Sequence, residues 1–297
     1  MRKWMQVAVA ACVLFGAGQA GAACPPEGST RESLQAMKML RFAVDDDAVR
    51  EALALGLVDC LGDPDPAMRD GIAYEALSHW MRAGALDAET LRALRDRLYA
   101  VVDGGEGEGF ARPFAALVLS EVARTDRVAP WMTPAERGKM IDKAAGYLET
   151  VQDYRGFDDR DGWRHAVAHG ADWLMQLAMG PTLDRTQAGR ILAAVATQVV
   201  PESAHAYVFG EQGRLVRPVV AVARHGLLSE ADWAAWLGAL PPRLGEAEQA
   251  YADSDWLARR HDLVTFFTSL YLEADQSTDE RVRALKPPLV AALKTVP

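Results

Sequence analysis

The sequence has few cysteines, fewer basic than acidic residues and few long apolar runs, and each shortage excludes a class of protein. Its 297 residues include 3 cysteines, which is too few for a scaffold held together by disulfide bonds. It contains 32 Lys and Arg and 41 Asp and Glu, which give a formal net charge of -9. Because phosphates are bound by a cationic face, we expect no nucleic-acid partner. A hydrophobic fraction of 50% with 25% charged residues is typical of a globular chain, not of a disordered or polytopic membrane protein.

The first 22 residues have the three parts of a secretory signal peptide. A basic start at Arg2 and Lys3 is followed by an apolar run and then by small residues. Ala20 and Ala22 fit the small-x-small rule for cleavage, which places the cut after Ala22. The apolar run is short for a transmembrane helix, although an uncleaved anchor is the alternative. We therefore predict an exported protein, periplasmic or secreted, with residues 23–297 as one domain and no membrane insertion after cleavage.

Export would leave an even pair of cysteines in an oxidising compartment. Cys12 is lost with the signal peptide, and Cys24 and Cys60 remain. A Cys24–Cys60 disulfide bond would tie the new N-terminus to a helix. The alternatives are two free thiols, or lipidation of Cys24, which is disfavoured because Gly21 stands where bacterial lipoprotein signals usually carry Leu.

The rest of the chain has apolar residues at helical spacing and no convincing run with strand alternation. Helix starts are marked by Asp63-Pro64-Asp65-Pro66 and by the capping box Thr133-Pro134-Ala135-Glu136, because a side-chain cap and a first-turn proline both favour a helix N-terminus. The sequence predicts an all-α fold with helices near 30–43, 46–61, 66–83, 87–102, 110–125, 133–152, 162–179, 184–200, 213–225, 229–240, 243–252, 255–273 and 279–294.

One stretch indicates repeated helical hairpins. Residues 65–77 resemble the first helix of a HEAT repeat, with a proline, an arginine and a stripe of small residues. The following helices would continue in pairs with a period of about 45 residues. Helix pairs that cannot bury their faces alone stack into a curved α-solenoid with a concave surface. The alternative architecture is a closed α/α ring of helical hairpins.

The densest group of polar residues lies between 153 and 172, where a loop rich in Asp and Gly enters a helix. Asp161 is the expected cap of that helix, because its carboxylate can accept the free amide hydrogens of the first turn. At about 100° per residue, His165, His169, Asp172 and Gln176 share one face and apolar residues occupy the other. We expect this polar face to be the outer, working side of the helix.

Two histidines one helical turn apart have the spacing of zinc ligands. Asp172, Asp161 or a residue from another helix could complete a divalent-metal site with His165 and His169, although Ala166 stands where zinc proteases carry a glutamate. A binding or catalytic site without metal is the second interpretation. In the third, both imidazoles hydrogen-bond the 153–161 loop, and Arg155 pairs with an aspartate to fix it.

The candidate catalytic residues are therefore His165, His169 and Asp172. The candidate ligand-binding residues are Arg155, Asp158, Asp161, Trp163 and Gln176. A further polar cluster at 251–262 is predicted to be a solvated helix start.

Three stretches of this sequence resemble a bacterial family, the domain of unknown function 2785. They are Asp65-Pro66 with Arg69-Asp70-Gly71-Ile72-Ala73-Tyr74, then Arg112-Pro113-Phe114-Ala115-Ala116-Leu117-Val118-Leu119, and Asp153-x-Arg155-Gly156 followed by Gly162-Trp163-x-His165-Ala166-x-Ala168-His169-x-Ala171-Asp172-x-Leu174. The resemblance extends over about residues 60 to 275. It implies an all-helical domain and, because the family has no assigned activity, no substrate or mechanism.

Three functions remain for this sequence. The first is a binding or scaffold module whose concave face contacts an unknown protein or small-molecule ligand. The second is a hydrolase with His165 or His169 as general base or metal ligand, oriented by Asp172 or Asp161. The third is a helical-ring carbohydrate enzyme that uses Asp158 or Asp159. No cofactor is expected apart from the divalent metal of the second.

Overall fold

The computed structural model describes residues 24–203, 205–246, 250 and 252–297. The predicted signal peptide, with its cleavage point after Ala22, lies outside the described residues. In the described part, no helix combines the length and apolarity needed to cross a bilayer. The structure joins Cys24 to Cys60 by a disulfide bond, with the two Cα atoms 5.0 Å apart. That residues 23–297 form one domain stays a prediction.

In the described residues, the regular structure is helical apart from one small hairpin of strands. The helices are α1 (Arg31–Met39), α2 (Asp47–Gly56), α3 (Pro66–Met68), α4 (Glu75–Arg82), α5 (Ala88–Val102), α6 (Ala111–Val128), α7 (Pro134–Glu149), α8 (Ala166–Ala178), α9 (Arg185–Val199), α10 (Glu211–His225), α11 (Glu230–Gly238), α12 (Ser254–Gln276), α13 (Glu280–Arg283) and α14 (Lys286–Leu293). Short 3₁₀ turns cover Leu57–Gly62 and Pro241–Leu244, and a π-helical segment covers Arg69–Tyr74.

Two of the predicted helices are wrong in part. The helix predicted at 243–252 is absent from the described residues of that range, where Pro241–Leu244 is a 3₁₀ turn and Gly245 and Glu246 are irregular. The helix predicted at 162–179 begins only at Ala166. The remaining predicted helices coincide with observed ones to within a few residues, because their caps and prolines mark the ends locally.

A two-stranded hairpin precedes α8; its first strand and turn lie in the predicted loop, and its second strand occupies the first two residues of the predicted helix. Strand β1 (Phe157–Asp158) pairs antiparallel with β2 (Gly162–Trp163). One carboxylate oxygen of Asp158 accepts the amide hydrogens of Arg160 and Asp161 at 2.9 and 3.0 Å, which closes the turn. Gly162 then takes a φ of +74° that other residues rarely adopt. The expected cap at Asp161 is therefore wrong, since the residue before α8 is His165, itself in the left-handed region at φ 57°.

The long helices lie in two rows. Consecutive helices pack as hairpins in the pairs α5–α6, α7–α8 and α9–α10. Helices α4, α6, α8, α10 and α12 also contact one another in that order, and α7 contacts α9 across the other row. These contacts agree with an all-α fold, while the HEAT-like stack and the closed ring stay predictions.

Helix α8 is buried on every face from Ala166 to Leu174, which corrects the expectation of an outer polar face. The apolar residues of this stretch are buried, and so are His169 and Asp172, each 6% exposed. The helix contacts α6, α7 and α10 at once. Its polar groups therefore meet protein groups from neighbouring helices, and each of them needs a partner there.

Candidate functional site

Asp172 on α8 is the meeting point of two arginines from α10. Its carboxylate oxygen Oδ2 accepts a hydrogen bond from Nη1 of Arg214, and Oδ1 lies 3.4 Å from Nη1 of Arg217. The Asp172 side chain is 9% exposed, whereas those of Arg214 and Arg217 are 34% and 50% exposed. Burial raises the pKa of Asp172, and the two guanidinium groups oppose this rise. The buried carboxylate thus holds two arginines that reach the surface.

A second ion pair lies on the neighbouring helices. Arg82 on α4 donates to both carboxylate oxygens of Glu121 on α6, with Nε 3.0 Å from Oε2. The phenol of Tyr74 lies near both ion pairs. Its pKa is raised by burial first and then by the charges of Glu121 and Asp172, which the arginines oppose. We call this group of Tyr74, Arg82, Glu121, Asp172, Arg214 and Arg217 the charged face.

His165 lies beside the charged face, under an exposed tryptophan. Its ring stacks on Trp163 with 4.6 Å between centroids and 20° between planes. Its Nε2 atom lies 3.5 Å from Oε1 of Glu211, without a hydrogen-bond partner in the described residues. Burial lowers the pKa of His165 to about 4, and the nearby charge of Arg214 adds to this effect. The imidazole is therefore uncharged at neutral pH.

His169 lies one turn further along α8 and is held by the backbone of α6. Its Nδ1 atom is 3.1 Å from the carbonyl oxygen of Pro113, and its ring lies edge-on to Phe114. Because a carbonyl can only accept, Nδ1 carries the hydrogen in the neutral ring. Burial lowers the pKa of His169 to about 3, helped by His165 and Arg214. Neither imidazole hydrogen-bonds the 153–161 loop through its ring, so the third interpretation is wrong for the histidines.

The three predicted metal ligands are near one another but do not form a metal site. No group of three or more His, Cys, Asp or Glu side chains in the described part of the chain is arranged to hold a metal ion. Asp172 is turned to Arg214 and Arg217, and Nδ1 of His169 faces a carbonyl oxygen. A cation beside two guanidinium groups would be repelled, so the predicted set of His165, His169 and Asp172 does not fit a divalent metal.

Arg155 and Asp161, two of the predicted ligand-binding residues, line a cavity of about 340 Å³ with Arg160 and Arg164. Arg155 pairs with Asp153, so the prediction that Arg155 pairs with an aspartate is correct. Arg160 and Arg164 share the carboxylate of Asp161. Because Glu108 also lines the cavity, the three arginines are balanced by three carboxylates and little charge is left uncompensated.

Of the other predicted ligand-binding residues, Asp158 and Trp163 share the hairpin, and Gln176 lies apart from them. Asp158 closes the hairpin turn. Trp163 is 37% exposed and forms an aromatic cluster with Phe157 and Phe209. Gln176 accepts hydrogen bonds from Arg127 at 3.0 and 3.2 Å, at the opposite end of α8 from His165.

The sequence pattern missed the partners of the predicted residues. Glu211, Arg214 and Arg217 recur at a spacing of three from the first residue of α10, and this periodicity is the signal that could have found them. Asp262 lies in the cluster that was predicted to be solvated, yet it is fully buried. Its Oδ1 accepts from the amide of Tyr207 at 2.9 Å and from Gln212 at 3.0 Å. Burial raises its pKa to about 7.

Fold and site together define an all-helical protein whose polar residues converge on one row of helices. The chain belongs to a family described as protein of unknown function, DUF2785, whose family model matches residues 99–272, more than half of the chain. The match includes the motifs at 112–119 and 153–174 but not the one at 65–74, so the resemblance extends less far toward the N-terminus than expected. No curated protein and no solved structure matches the chain.

Proposed function

We propose that this protein is an exported binding module and that the charged face is its recognition surface. The observation that carries the proposal is the convergence of Arg214 and Arg217 on the buried carboxylate of Asp172. Partly exposed arginines usually lose side-chain freedom when they bind a ligand. Here the buried carboxylate restricts them beforehand, which reduces the entropy cost of binding.

The arrangement of the helices supports the same surface. The residues of the charged face come from the row α4, α6, α8 and α10 and from the segment just before α4. In a HEAT-like stack, one such row lines the concave side, which is the side that helical repeats use to bind partners. A closed α/α ring would also place one row around its centre. The row therefore supports a binding surface in both architectures.

Export is supported by the bond between Cys24 and Cys60, because disulfide bonds persist in oxidising compartments and are rare in the cytosol. Export to the periplasm or medium, with cleavage after Ala22, can be tested by N-terminal sequencing of the protein from each cell fraction. A mature chain that begins at Ala23 supports export. A full-length chain found only in the cytosol contradicts it.

A hydrolase is the weaker candidate. A general base works best when its pKa is near the working pH, whereas burial holds the pKa of His165 at about 4 and that of His169 at about 3. Asp172, which would orient a histidine in that mechanism, is bound to Arg214 and Arg217 instead.

The binding proposal can be tested by affinity selection from a mixture of small molecules. Purified protein is incubated with a metabolite extract, separated by size exclusion and analysed by mass spectrometry. We expect at least one compound to be retained by the wild type and lost from an Arg214→Ala, Arg217→Ala double variant. Arg185→Ala is the matched control, because Arg185 is an exposed arginine that pairs with Asp232 and is not part of the charged face. If no retained compound depends on the two arginines, the proposal is wrong; a compound converted to product would favour the hydrolase.

A further inference from the structure

We infer that the ligand presents a carboxylate group to Arg214 and Arg217; this inference rests on the proposed binding function. The first step is a count of charges. Two guanidinium groups share the single carboxylate of Asp172, and two positive charges against one negative leave one positive charge. This surplus lies on side chains that solvent reaches.

Neighbouring groups do not cancel the surplus charge. Glu121 is held by Arg82 through both carboxylate oxygens. Glu211 is 2% exposed, and its Oε2 accepts the amide hydrogen of Phe209 at 2.9 Å, so its charge is directed into the protein at the start of α10. The imidazole of His165 is uncharged at neutral pH, because burial and the charge of Arg214 lower its pKa to about 4.

Arg217 has donors to offer a ligand. A guanidinium group carries five N–H donors in a planar fork, and the structure gives Arg217 one contact with Asp172, at 3.4 Å. The side chain is half exposed. The fork matches the two oxygens of a carboxylate, and such charge-assisted pairs are about twice as strong as neutral hydrogen bonds.

The size of the surplus favours a carboxylate over a phosphate. A carboxylate carries one negative charge and matches the one positive charge that remains. A phosphate group carries roughly -1.5 to -2 at neutral pH. Its additional charge would lie beside the Asp172 carboxylate, where the buried surroundings strengthen repulsion. The same carboxylate chemistry could come from an acidic sugar or from a small organic acid.

Calorimetric titration at low salt separates these sources. The probes are galacturonate as an acidic sugar, galactose as its neutral match, succinate as an organic acid and inorganic phosphate. We expect at least one carboxylate probe to bind and galactose not to bind. Binding of galacturonate alone identifies an acidic sugar, binding of succinate alone identifies a small organic acid, and binding of both identifies the carboxylate itself.

The variants test whether Arg217 makes the contact. Arg217→Gln is expected to weaken carboxylate binding about tenfold. Arg217→Lys keeps the charge but loses the fork, so a smaller loss is expected. Arg185→Gln serves as the control and should bind like the wild type.

Four results would overturn the inference: no binding of either carboxylate, equal binding of galactose, tighter binding of phosphate, or no effect of Arg217→Gln. If a neutral or basic compound is retained in the affinity selection through Arg214 and Arg217, only the ligand class is wrong. If no compound is retained through them, the proposed function is wrong as well.

Discussion

The Nε2 atom of His165 lies 3.5 Å from the carboxylate of Glu211, and both side chains are buried. An ion pair at this distance requires a charged imidazole. Burial and the nearby Arg214 instead hold the pKa of His165 at about 4. The two groups are therefore neighbours without being an ion pair at neutral pH, and this can be measured directly.

We expect two of the six histidines to remain neutral far below the usual pKa of about 6.5. In an NMR titration of histidine-labelled protein, the ring signals of His165 and His169 should have midpoints near 4 and 3. His165→Gln and His169→Gln assign the signals. Midpoints near 6.5 for both residues would show that burial does not lower the pKa values of these imidazoles.

Asp262 should make stability depend on pH in the opposite direction from the buried histidines. Its folded pKa of about 7 is above the unfolded value of 3.8. The folded state therefore binds its proton more tightly, and the stability from this group is present below pH 3.8 and is lost as pH rises to 7. Between pH 5 and 8 this loss is about 2–3 kcal/mol.

Asp262→Asn removes this dependence. We expect urea unfolding of the variant to show a gain in stability relative to wild type that is larger at pH 8 than at pH 5. The comparison between the two proteins cancels the contributions of His165 and His169, which titrate in both. An equal difference at the two pH values would contradict the raised pKa of Asp262.

An Arg214→Gln, Arg217→Gln double variant should destabilise the protein, because it leaves the buried carboxylate of Asp172 without the two charges that oppose the cost of its burial. Hydrogen bonds to charged groups typically contribute about 1.5–3 kcal/mol, and we expect a loss of that order in urea unfolding. Arg185→Gln, which breaks an exposed pair with Asp232, should cause little change. Wild-type stability of the double variant would show that Arg214 and Arg217 do not stabilise the buried carboxylate of Asp172.

The bond between Cys24 and Cys60 should stabilise the protein by restricting the unfolded chain. It closes a loop with a sequence separation of 36. Chain entropy for such a loop predicts a loss of about 2–4 kcal/mol in the Cys24→Ser, Cys60→Ser double variant. Reduced wild type should match the variant in urea unfolding. Identical stability with and without reductant would contradict this account.

Local signals predicted most of the helices and failed where a distant contact decides the conformation. The starts of α3 and α7 follow from the caps at Asp65 and Thr133, which act within one turn. The start of α8 does not. Arg69, fully buried and more than ninety residues away, donates to the carbonyl oxygen of Asp161 at 2.8 Å. This contact holds the hairpin whose second strand, Gly162–Trp163, replaces the first residues of the predicted helix.

The candidate site was predicted in part for the same reason. Helical spacing placed His165, His169 and Asp172 on one side of one helix, and the structure keeps them there. Their partners come from other helices: Pro113 from α6 for His169, and Arg214 from α10 for Asp172. The pattern of one helix does not show which other helix will pack on it. The polar face of α8 was therefore expected in solvent but is buried.

Composition, periodicity and caps act over short distances, so they were enough to predict an all-helical, acidic chain. What the polar residues of α8 do depends instead on the helices packed around them. Packing between α6 and α10 removed water from both imidazoles, which lowered their pKa values, and turned Asp172 toward two arginines. Asp172, first expected to bind a metal, instead holds the two arginines of a positively charged surface.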